Sequence, residues 1–104
     1  MKVNINKKVV QDTNKIWGYD VMTDMAMEEL AEAIQAVNKV KRFKKDSKMY
    51  ERLNDEIADV FIVIDQLEDL GLVDEKAVQE FIDFKQLRQA ARNREYTNIN
   101  PSKK

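Results

Sequence analysis

The segment running from Ile57 to Ile64 (Ile-Ala-Asp-Val-Phe-Ile-Val-Ile) constrains this chain more than any other. Leu53, Ile57, Val60, Ile64 and Leu67 recur at alternating steps of four and three, a heptad-like seam that predicts a helix. Ala58, Phe61, Ile62 and Val63 cover the other faces of its middle. A helix that is apolar all round must be surrounded. A chain of 104 residues has few further helices with which to do this. The remaining faces therefore predict a second subunit: a homo-oligomer, with a two-fold dimer first and a dimer of dimers, a tetramer, next.

The helix breakers divide the rest. Gly18 and Gly71 each follow a helical pattern and suit the left-handed position just past a helix end, while Pro101 lies in a polar stretch. Four helices are expected between these marks. The first spans about Asn4 to Trp17. The second starts at Asp20 or Thr23 and runs to Phe43, with Leu30, Ile34 and Val37 on its apolar stripe. The third is capped near Ser47 and continues to Leu70, roughly 36 Å at 1.5 Å per residue. The fourth begins behind Asp74 and ends near Asn93. No stretch alternates with period two for long enough to make a sheet. The expected fold is all-α, a four-helix bundle in one domain over residues 1–95, with a mobile polar tail at 96–104.

Composition removes many chemistries. The chain contains neither Cys nor His. Disulfides, thiolate nucleophiles, His-type zinc sites, Ser-His-Asp catalysis and Glu-x-x-His di-iron bundles are thereby excluded. The lack of Cys and of an export signal predicts a cytoplasmic protein. No apolar run approaches the roughly 20 residues of a membrane span. A formal charge of -1, from 18 basic and 19 acidic residues, gives no expectation of a nucleic-acid polymer as partner. The basic stretch at residues 39–48 reads as a solvated hairpin turn.

Carboxylates, Lys, Arg, Tyr and water are left for chemistry, and the carboxylates are arranged. Asp59 sits inside the apolar segment, with Glu56 three residues before it on the same helical face. In "MEELAEAIQ" the second helix repeats the spacing with Glu29 and Glu32, beside Glu28. A short connection favours antiparallel packing, which lets Glu29, Glu32, Glu56 and Asp59 converge. Converging carboxylates repel and raise one another's pKa unless a cation neutralises them. A Lys or Arg salt bridge or a metal ion would each serve. Ligation by oxygen alone selects a hard ion, Mg²⁺ first, Mn²⁺ second and Ca²⁺ third.

"EELAE" followed after a hairpin by "DEIADV" resembles the signature of the MazG-like all-alpha nucleoside triphosphate pyrophosphohydrolases, Glu-Glu-x-x-Glu on one helix and Glu-x-x-Asp on the next. The likeness covers about residues 17 to 92. It implies Mg²⁺ held by Glu29, Glu32, Glu56 and Asp59, with Glu28 or Glu32 as catalytic base for the attacking water. It also implies a dimer or tetramer, and hydrolysis of a (d)NTP between its alpha and beta phosphates to (d)NMP and pyrophosphate, in nucleotide-pool housecleaning or regulation. Lys85 and Arg92, with Arg88 on the same face of the fourth helix, are the matching phosphate-binding candidates. Favourable placement of cations near a helix C-terminus explains them equally well. Trp17 could stack on a base or fill an interface. Asn14 and Asn38 could read a base edge, though nothing singles them out. The alternative function is a non-catalytic helical oligomerisation or interaction module of the same fold.

Overall fold

The computed structural model describes residues 1–103 and is all-helical. Helix α1 spans Lys7–Arg42, α2 Ser47–Asp69 and α3 Glu75–Ile99, followed by a 3-10 turn at Pro101–Lys103. Two of the expected helices are joined in α1, which is broken at Gly18 (φ 83°, ψ 171°) into a first and a second arm. Gly71 (φ 81°) ends α2. Its N–H donates to the Glu68 carbonyl at 2.9 Å and that of Leu72 to the Leu67 carbonyl at 3.0 Å, the Schellman pattern that a left-handed residue allows. Side chains cap the helix starts: Asn6 accepts from the Val9 N–H, Asp46 from that of Lys48 and Asp74 from that of Ala77. Asp46, not Ser47, is therefore the cap of α2. Helix α3 continues past Asn93 because nothing that breaks a helix occurs before Pro101, and helical structure thus enters the polar tail. Lys104 lies outside the described residues.

Two compact units result, Met1–Val73 and a second from Asp74 onward. In the first, Glu29 approaches Asp59 while Glu32 approaches Glu56, so the second arm of α1 runs antiparallel to α2. Gly18 turns the chain so that the first arm lies against the end of α2. Lys7 Nζ donates to Asp65 at 2.7 Å, and the buried Asn14 Nδ2 donates to the Gln66 carbonyl at 3.0 Å and to Asp69 at 2.9 Å.

The buried seam of this unit differs from the one the apolar pattern predicts. On the second arm of α1 the interior positions are Met22, Ala26, Ala33 and Ala36, with Leu30, Ile34 and Val37 exposed. On α2 they are Glu56, Val63 and Gln66, while Ile62 and Ile64 are exposed. The helices meet through small side chains and acids because alanine lets their axes approach, and the bulkier apolar residues are turned outward. No residue of α3 is buried; Phe81, Phe84 and Leu87 are exposed along it.

Gly18 is the most constrained backbone position. A methyl group there would meet nothing within 4 Å, so any cost lies in the dihedral angles alone. Gly18→Ala is expected to lower stability by about 1–2 kcal/mol, read as a lower urea midpoint with an unchanged slope.

Candidate functional site

The acids lie in the interface between the helices. On α1, Met22, Ala26, Glu29, Ala33 and Ala36 follow one another at steps of four and three, so Glu29 occupies a position that packing would otherwise give to an apolar residue. Glu56 does the same on α2, one heptad before Val63, and retains 8% of its exposure. Carboxylate oxygens of Glu29, Glu32 and Glu56 all lie within 4.8 Å of one another. Asp59 lies beside them, close enough to Glu29 and Glu56 to raise both carboxyls. Of the four acids expected to converge, Glu29, Glu32 and Glu56 form a triad, with Asp59 beside it. Glu28, one residue before Glu29, is exposed and outside the cluster.

No cation among the described residues relieves this crowding. Ion pairs tie Lys7 to Asp65 and Lys8 to Asp12, and among the described residues none reaches Glu29, Glu32, Glu56 or Asp59. Burial, the hydrogen bond to Asp59 and the charges of Asp59, Glu32 and Glu56 push the half-buried Glu29 carboxyl up to about 7. Burial first, then the charge of Glu32 and a hydrogen bond to it, also holds Glu56 above the ordinary carboxylate range. Even so, Oε2 of Glu29 and Oε2 of Glu56 are sealed from solvent and have no hydrogen-bond partner. Buried oxygens without a donor are rare in folded proteins and costly. Four carboxylates with spare lone pairs, free of nitrogen and sulfur, form the donor set that hard divalent cations take. Among the described residues no salt bridge holds Asp59.

The other candidates are placed separately. Lys85, Arg88 and Arg92 are exposed on α3, where the Arg88 guanidinium lies over the Phe84 ring, 5.6 Å from its centroid. Trp17 is exposed at the last position before the Gly18 break. Asn14 is committed to the fold by its two hydrogen bonds to the end of α2, and Asn38 is exposed on α1. The hairpin at Phe43–Asp46 is solvent-facing, held by the Tyr50 hydroxyl donating to the Lys44 carbonyl at 2.7 Å. Sequence reasoning passed over Gln66, which is buried. Its signal is a neutral amide seven residues after Asp59, on the same face of a helix otherwise apolar there. Among the described residues, no helix is long and apolar enough to cross a membrane. No protein-family model, curated protein or solved structure matches the chain.

Proposed function

We propose that this chain is a Mg²⁺-dependent nucleoside triphosphate pyrophosphohydrolase of the MazG-like kind, acting as a homo-oligomer in the cytoplasm. The observation that carries this reading is the pair of sealed, unpartnered oxygens on Glu29 and Glu56 within the triad that they form with Glu32. Glu29, Glu32, Glu56 and Asp59 would hold the metal, Mg²⁺ or Mn²⁺. A cation held by these residues would neutralise the acids, supply positive charge to a phosphate and make a bound water more acidic. Glu32 is exposed at the edge of the cluster and Glu28 is exposed beside it. Either carboxylate can accept the proton of the attacking water. Water then bonds to the alpha phosphorus, the bond from that phosphorus to the bridging oxygen of the beta phosphate breaks, and pyrophosphate leaves with the negative charge. In the first unit, Trp17 has an open face for stacking; Lys85, Arg88 and Arg92 of the second remain the phosphate-binding candidates that the resemblance implies.

The apolar residues left outward support assembly. Leu30, Ile34 and Val37 of α1 and Ile64 of α2 form surfaces that a second copy can bury. The decisive measurement is pyrophosphate release from a panel of ribo- and deoxyribonucleoside triphosphates, with Mg²⁺ and with EDTA, on protein of known mass by light scattering. Metal-dependent release from at least one nucleotide by a dimer or tetramer is expected. Absence of release from every nucleotide would leave the non-catalytic oligomeric module as the function.

A further inference from the structure

A second constellation in the first unit lies away from the acids. The N-terminal segment and the first arm of α1 enclose, against the second half of α2, a cavity of about 250 Å³. Its walls are apolar where Ile5, Val9, Val10 and Ile62 face it, and Asn4 and Gln66 bring amides to it. Gln66 is the unusual member. It is 8% exposed, and its side chain hydrogen-bonds to none of the described residues, although its main-chain carbonyl receives Asn14. Among the described residues the sealed, unpartnered side-chain oxygens belong to Asn14, Glu29 and Glu56 and not to Gln66. The Gln66 amide therefore keeps access to water, on a residue that lines the cavity. A ligand that offers the same hydrogen bonds can replace that water.

We infer that this cavity receives a nucleobase, read by the Gln66 amide. The amide presents one donor and one acceptor side by side in a plane, and its complement is a flat ring with an adjacent acceptor and donor on one edge. The aliphatic walls suit the two faces of such a ring and disfavour a cluster of waters. The volume selects a single ring system, since drug-sized ligands occupy about 300–1,000 Å³. Gln66 lies seven residues beyond Asp59, two turns along α2 and about 10 Å away on the same face. Base and triphosphate of one nucleotide are separated by a distance of this order. As the base-holding end of the substrate site, the cavity rests on the reading of the acids given above. The cavity can nevertheless be tested without them.

Two measurements separate the claims. In the first, uridine, cytidine, adenosine and guanosine, which carry no phosphate, are titrated in EDTA into the full chain while amide and methyl NMR signals are followed. At least one nucleoside is expected to shift Ile5, Val9, Val10, Ile62 and the Gln66 side-chain amide saturably. The shifts should be lost in Gln66→Leu and in Val9→Trp. Val9 is more than half exposed, so the larger ring is tolerated while it occupies the cavity. The second measurement is kcat/KM for Mg²⁺-dependent pyrophosphate release across the four bases. Wild type is expected to favour the base that binds by at least about ten-fold, and Gln66→Leu to erase that preference. If no nucleoside at millimolar concentration moves these signals, the cavity assignment is overturned, whatever the activity. If a nucleoside binds and no triphosphate is cleaved, the cavity stands and the pyrophosphohydrolase reading falls.

Discussion

Asp59→Asn is expected to lower kcat/KM for Mg²⁺-dependent pyrophosphate release by at least about 100-fold, with helical content unchanged. The amide has the shape of the carboxylate, so packing between α1 and α2 is preserved while one anionic ligand is lost. Glu56→Gln is expected to match it, for the same reason and with a second effect. Glu56 is buried, one of its oxygens has no donor, and its neighbours hold it above the ordinary carboxylate range. Removing its charge relieves repulsion in the metal-free protein. In EDTA at pH 8 the Glu56→Gln variant should unfold at a higher urea concentration than wild type, although it is inactive. Stabilisation coupled to loss of activity is the mark of a residue kept for chemistry. An Asp59→Asn protein as active as wild type would remove the acids from the mechanism.

Mg²⁺ itself should stabilise the fold, and more at high pH than at low. A ligand at ten times its Kd adds about 1.4 kcal/mol, which raises Tm by about 6–11 °C for a chain of this length. The pH dependence follows from Glu29. Its carboxyl titrates at about 7 in the folded protein against 4.5 ordinarily, so the folded state holds the proton more tightly than the unfolded one. This contribution to stability is complete below about 4.5 and is lost as the pH rises through about 7. Metal-free protein should therefore have a lower urea midpoint at pH 8 than at pH 5. A cation takes over the role of the proton, so the difference between Mg²⁺ and EDTA should widen across that window. Midpoints at pH 8 that coincide with and without Mg²⁺ would show that the acids do not form a cation site.

The helices and the acids were legible in the sequence for definite reasons. Gly18 and Gly71 mark backbone turns that a residue with a Cβ enters only at a cost, and both have positive φ. The i, i+3 spacing of Glu29 with Glu32 and of Glu56 with Asp59 survives any small rotation of the helices, so their meeting could be expected from the pattern. The packing face could not. Period alone favours Leu53, Ile57, Val60, Ile64 and Leu67 as the inward seam of α2, whereas Glu56, Val63 and Gln66 are the residues buried. Hydrophobicity ranks side chains by transfer from water and is blind to which partner helix offers a smooth surface. Alanines on α1 decided this, and alanine carries little weight in a hydrophobic pattern. The cavity at Gln66 was hidden because it depends on where the first arm lands after the Gly18 turn.

Ala26, Ala33 and Ala36 act as a ruler for chemistry in which they take no part. Carboxylate oxygens from two rods can come within coordinating range of one ion only while the rods stay at one separation, and three methyl groups hold that gauge. A lineage could keep every acid and still lose the centre by thickening one alanine, or adjust the size of the ion accepted without touching a ligand.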